Sequence, residues 1–126
     1  MWEAYGLDNE DLLWSCIAFQ GGIGGQREAV CGALSAAAVC LGLRHRCSLA
    51  EKQKAKQARL DARQDAGEVV QGFTEKYGTI ICQDLLGVDL SEPGAARQFV
   101  ESGLWEEKCN NYVQFIIEKL YELDGQ

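Results

Sequence analysis

Residues 48–77 read SLAEKQKAKQARLDARQDAGEVVQGFTEKY. No proline interrupts them. Ala58, Ala62, Ala66, Val69, Phe73 and Tyr77 recur at spacings of three and four, which places them on one face of an α-helix. Ser48-Leu49-Ala50-Glu51 has the form of a capping box and marks the start of that helix. Gly78 marks its end. Lys52 to Gln64 is otherwise polar, with both signs of charge interleaved. That half of the helix reads as a surface projecting along solvent or against a partner.

The rest of the chain follows the same period. Asp8 or Asn9 reads as the N-cap of a first helix carrying Leu12, Leu13, Cys16, Ile17 and Phe19. Gly21-Gly22-Ile23-Gly24-Gly25 ends it. A second helix spans about Arg27 to Leu41. It is apolar on all sides and rich in alanine, as expected of a helix packed between others. Thr79 caps a short helix that Gly87 closes, and Ser91-Glu92-Pro93 opens another that ends near Gly103. The last helix carries Cys109, Tyr112, Val113, Ile116, Ile117, Leu120 and Leu123 on one face. The fold class expected is all-α, a single helical domain over residues 1–126 with about five to six helices.

A chain of 126 residues buries roughly two-thirds of its unfolded surface and does not need disulfides to fold. Its net charge of -7 argues against nucleic acid as a partner and against an anionic membrane surface. The start has no basic region followed by an apolar one, so no signal peptide is expected. The longest apolar run, Val30 to Leu43, is about 14 residues, short of the roughly 20 that span a membrane. The expected location is the cytoplasm, where six cysteines rest reduced.

Three of those cysteines fall where the sequence reads as the first turn of a helix: Cys31, Cys82 and Cys109. Unpaired backbone N–H groups and the positive end of the helix dipole favour a thiolate there. Thiolates exchange with disulfides or hold metals. Each of the three also reads as a small apolar residue packed in a core. Cys16 reads as core. Cys40 lies nine positions after Cys31, on roughly the opposite face and about 13 Å along, so those two do not bridge. Cys47 follows Arg44-His45-Arg46 and reads as an exposed, incidental thiol.

Other motifs point elsewhere or nowhere. No Cys-x-x-Cys is present, which argues against a thioredoxin-like dithiol and a zinc ribbon. Gly22-Ile23-Gly24 follows a helix rather than a strand, and Arg27 stands where a nucleotide loop has its third glycine. The glycines fit a tight turn instead, or close approach of backbone to whatever Cys31 contacts. His45 reads as solvated, and Asp61 and Asp65 as a solvated face.

The chain resembles a family of redox-active proteins named for its cysteine pattern, C-GCAxxG-C-C. The stretches that carry the resemblance are Ala18 to Gly25, Cys31-Gly32-Ala33-Leu34-Ser35-Ala36, Leu41-Gly42-Leu43, Tyr77 to Gly87, and Lys108-Cys109-Asn110-Asn111-Tyr112-Val113. The resemblance implies an all-helical fold and redox activity through four cysteines, of which Cys31, Cys82 and Cys109 match three. It places the first on a helix upstream, with Met1-Trp2-Glu3-Ala4-Tyr5 as that helix's tail, unless Cys16 stands in or the fourth is absent. Ala36 replaces the motif's second glycine, and its methyl is expected to narrow the site.

The function expected is therefore a redox protein in which Cys31, Cys82 and Cys109 converge. They would act as redox-active thiols or as ligands, with Cys16 a further candidate, for zinc or an iron–sulfur cluster. A redox partner and a homodimer are the partners expected. The competing expectation is a helical interaction module that dimerises through the Ala-rich and C-terminal helices, its cysteines being core residues.

Overall fold

The computed structural model describes residues 3–125. They form six α-helices: α1 (Asp11–Trp14), α2 (Gly32–Arg44), α3 (Lys52–Tyr77), α4 (Cys82–Leu86), α5 (Ala95–Glu101) and α6 (Leu104–Asp124). A 3-10 turn at Ile17–Phe19 follows α1. Among the described residues there is no strand, only one isolated antiparallel bridge between Val30 and Ile81. No helix among them is long and apolar enough to cross a membrane.

Helices α2, α3 and α6 pack on one another in all three pairings. The core between them takes Leu34, Ala37 and Leu41 from α2, Val69 and Phe73 from α3, and Tyr112, Phe115, Ile116, Leu120 and Leu123 from α6. Phe73 is fully buried, and burial of such a side chain contributes roughly 1.5–3 kcal/mol. Its ring meets those of Tyr77, Tyr112 and Phe115 at centroid distances of 4.7, 5.7 and 5.7 Å. Of the stripe expected on α3, Val69 and Phe73 are buried and the rest half-buried, and Gly78 ends that helix at φ 80°. A smaller cluster of Cys82, Leu86 and Phe99 joins α4 to α5, with Cys109 of α6 packed against it.

Several local expectations are corrected. The first helix is only α1 and a 3-10 turn, and Cys16 is half-buried at the start of that turn rather than in the core. Helix α2 starts at Gly32, because Arg27 takes a left-handed backbone (φ 66°) and Val30 pairs with Ile81. It is not buried all round: Ala36 and Ala38 are exposed, so the Ala36 methyl narrows nothing. The capping box is absent. Ser48 Oγ accepts from the Ala50 N–H, and Glu51 pairs with Lys54 at 2.7 Å. Helix α5 begins after Gly94 rather than at Pro93. On α6, Val113 and Ile117 face outward and Phe115 faces the core. His45 is not free in solvent: its Nε2 lies 2.6 Å from Asp65 Oδ2. Glu3 to Gly6 form a turn rather than the tail of a helix, while Met1 and Trp2 lie outside the described residues.

Candidate functional site

Two of the three expected cysteines are set by the bridge. Val30 faces Ile81, the Cys31 N–H donates to the Ile80 carbonyl (2.8 Å), and the Cys82 N–H donates to the Ala29 carbonyl (3.0 Å). Cys31 is the N-cap of α2, and Cys82 is the first residue of α4. The two chains therefore pass through a single antiparallel pairing and turn at once into helices. The pairing makes Cys31 and Cys82 diagonal neighbours across the bridge.

Cys109 arrives from α6, and not from its first turn. That helix starts at Leu104, after Gly103 in the left-handed region, so Cys109 is its sixth residue. Two side chains on adjoining positions tie α6 to the end of α4. Lys108 Nζ donates to the Leu86 carbonyl at 2.5 Å, and the Tyr112 hydroxyl donates to the Leu85 carbonyl at 2.8 Å. These bonds satisfy two carbonyls that α4, with only five residues, leaves without partners. The sequence reads Lys108 as a neighbour of Cys109 and Tyr112 as part of an apolar face, but nothing within α6 itself calls for their bonds to α4.

The glycine loop closes over the other side of Cys82. Gly21, Gly22, Ile23, Gly24 and Gly25 all have φ between 61° and 74°, a run of left-handed backbone. L-residues visit that region singly at most, which is why four of the five are glycine. A Cβ on Gly22 would lie 2.9 Å from the Ala29 oxygen and 3.0 Å from Cys82 Cβ. Backbone thus packs directly on the cysteine, and the expectation of a close glycine approach applies to Cys82 more than to Cys31.

All six cysteines are free. Cys31 and Cys82 are buried, and Cys109 is half-buried. Burial pushes the Cys82 thiol up, and charge on Cys31 and Cys109 pushes it further; the Arg27 guanidinium pulls the other way. Burial also raises Cys109, with Cys31 adding to it. Tyr112 is raised by burial first and then by charge on Cys109 and Cys31. The trio is thus brought close enough for each thiolate to oppose the next. Cys16 is not among the groups acting on it. Cys16 acts instead on Cys40, whose thiol burial already raises. Cys47 is exposed, as expected. Among the described residues, no three His, Cys, Asp or Glu side chains are arranged to hold a metal ion. Zinc in a structural site and an iron–sulfur cluster each take four protein ligands, one more than the trio provides.

The sequence model of the family described as "Putative redox-active protein (C_GCAxxG_C_C)" matches residues 1–123. The chain belongs to this family. No curated protein and no solved structure matches it.

Proposed function

We propose that the protein carries out thiol–disulfide exchange through Cys82 and Cys109, with Cys31 as a third thiol beside them. One observation carries this reading: Cys82 and Cys109 share the apolar cluster of Leu86 and Phe99, with α6 held on α4 by Lys108 and Tyr112. Cys31 belongs instead to the three-helix core cluster, apart from the cluster that Cys82 and Cys109 share.

In the exchange, a thiolate of the pair attacks one sulfur of a partner disulfide. The other sulfur of the partner leaves as thiolate with the bonding electrons. The second cysteine then attacks the mixed disulfide, closes Cys82–Cys109 and releases the partner's second thiol. Two electrons and two protons pass from the cysteine pair to the partner disulfide, and the reverse sequence reduces the protein again.

The test is disulfide mapping by peptide mass spectrometry after incubation with oxidised glutathione. A Cys82–Cys109 bond is expected in the parent and in Cys31→Ser, and in neither Cys82→Ser nor Cys109→Ser. The reading fails if Cys82 and Cys109 stay reduced while exposed Cys47 is glutathionylated. Stoichiometric zinc or iron in protein purified without oxygen, lost in Cys31→Ser, would replace exchange by metal ligation.

A further inference from the structure

The loop that covers Cys82 also brings a cation to it. Among the described residues, Arg27 is one of two non-glycine residues with a left-handed backbone, the other being Ile23. Its N–H donates to the Gly21 carbonyl and its carbonyl accepts from the Gln83 N–H, each at 2.8 Å. Gln83 directly follows Cys82. A methyl on Gly22 would stand 3.0 Å from both Arg27 Cα and Cys82 Cβ, so one glycine separates the arginine from the cysteine. The backbone of Arg27 is therefore fixed at both ends beside Cys82.

The side chain at this position has a cost. A non-glycine residue held in the left-handed region carries strain that glycine would avoid. The position nevertheless carries a guanidinium, charged at every physiological pH. Among the described residues it forms no ion pair with a carboxylate. Asp84, the one carboxylate of α4, takes a hydrogen bond from Thr79 Oγ1 at 3.3 Å instead. Burial and the two neighbouring cysteines raise the Cys82 thiol, and Arg27 is the cation that opposes them. In a chain of net charge -7, an anion meets repulsion over most of the surface, and a local cation is needed to admit one.

We propose that Arg27 is a specificity-determining residue that directs disulfides bearing negative charge to Cys82. The inference rests on the exchange reading above and assigns its first step: the Cys82 thiolate attacks the anionic disulfide, one half leaves as thiolate, and Cys109 resolves the mixed disulfide.

Iodoacetate and iodoacetamide test it, since they differ chiefly in charge. The ratio of their alkylation rates at Cys82 is read by peptide mass spectrometry at one pH, with Cys47 as internal reference. Arg27→Gly removes the charge, keeps the backbone bonds and suits the left-handed φ, so the protein folds. The iodoacetate-to-iodoacetamide ratio at Cys82 is expected to fall about 3- to 10-fold, the size of one nearby charge whose own side chain is screened by solvent. Arg27→Lys is expected to retain most of it. An unchanged ratio in folded Arg27→Gly overturns this inference and leaves exchange standing. Failure of Cys82 to react with either reagent, while Cys47 reacts, overturns both.

Discussion

The Tyr112 hydroxyl donates to the Leu85 carbonyl at 2.8 Å, across 27 positions of sequence. The bond ties α6 to the end of α4 one turn beyond Cys109, so it sets how Cys109 meets Cys82. Tyr112→Phe leaves a buried carbonyl without its donor, which costs about 1–3 kcal/mol. Denaturation by urea is expected to show that loss. Oxidation of the Cys82–Cys109 pair is expected to slow in the same variant, while alkylation of Cys47 is unchanged.

Gly22 and Gly24 share a left-handed φ but not their surroundings. A Cβ on Gly22 meets backbone at 2.9 Å and Cys82 at 3.0 Å; on Gly24 it meets nothing within 4 Å. Gly24→Ala is expected to cost only the conformational penalty, about 1–2 kcal/mol. Gly22→Ala adds a clash with atoms that cannot swing aside and is expected to cost several kcal/mol, about the level of a disrupted core. Thermal unfolding of the two variants side by side separates these terms.

Stability is expected to fall at alkaline pH. Burial is the largest cause raising the thiols of Cys40, Cys82 and Cys109 above the ordinary 9.0, and the hydroxyls of Tyr5 and Tyr112 above 10.0. The unfolded chain therefore loses these protons first. Their contribution is intact below about pH 9 and is lost as pH rises through the folded values. Chemical denaturation from pH 7 to 11 checks the slope; stability independent of pH across that range would contradict it. Replacing both Cys82 and Cys109 with serine is expected to flatten the slope.

Arg44 and His45 fasten the far end of the bundle. Arg44 meets Asp124 at 3.1 Å and Asp65 at 3.8 Å, while His45 meets Asp65 at 2.6 Å. The group joins the end of α2 to α3 and α6. Asp65→Ala and His45→Ala, singly and together, are expected to show a coupling of about 1 kcal/mol in a double-mutant cycle, since the two side chains bond each other directly.

The helices were legible in the sequence because their signals are local. The stripe from Ala58 to Tyr77 buries Val69 and Phe73 in the three-helix core, and Gly78 stops the helix where its missing Cβ permits. The placement of Cys31 and Cys82 at helix starts was legible for the same reason. What brings them together was not, because a single bridged pair, Val30 with Ile81, carries no period to detect. Cys109 was misplaced by one turn, since α6 starts at Leu104, after Gly103, earlier than the charged residues before Cys109 suggested. The bonds from Lys108 to Leu86, Tyr112 to Leu85 and His45 to Asp65 join positions 20 or more apart, beyond the reach of any local pattern. Cys16 misled because α1 stops after four residues, which takes that residue off the face a longer helix would have buried.

The turn from Gly21 to Gly25 runs in the hand that D-amino acids prefer. A D-alanine introduced by chemical synthesis at exposed Gly24 or Gly25 would adopt that backbone without strain, and it would narrow the unfolded ensemble that glycine leaves wide. The same methyl in the L-form opposes the fold. The loop over Cys82 is therefore a place where mirror-image chemistry, and no coded side chain, can stiffen the protein.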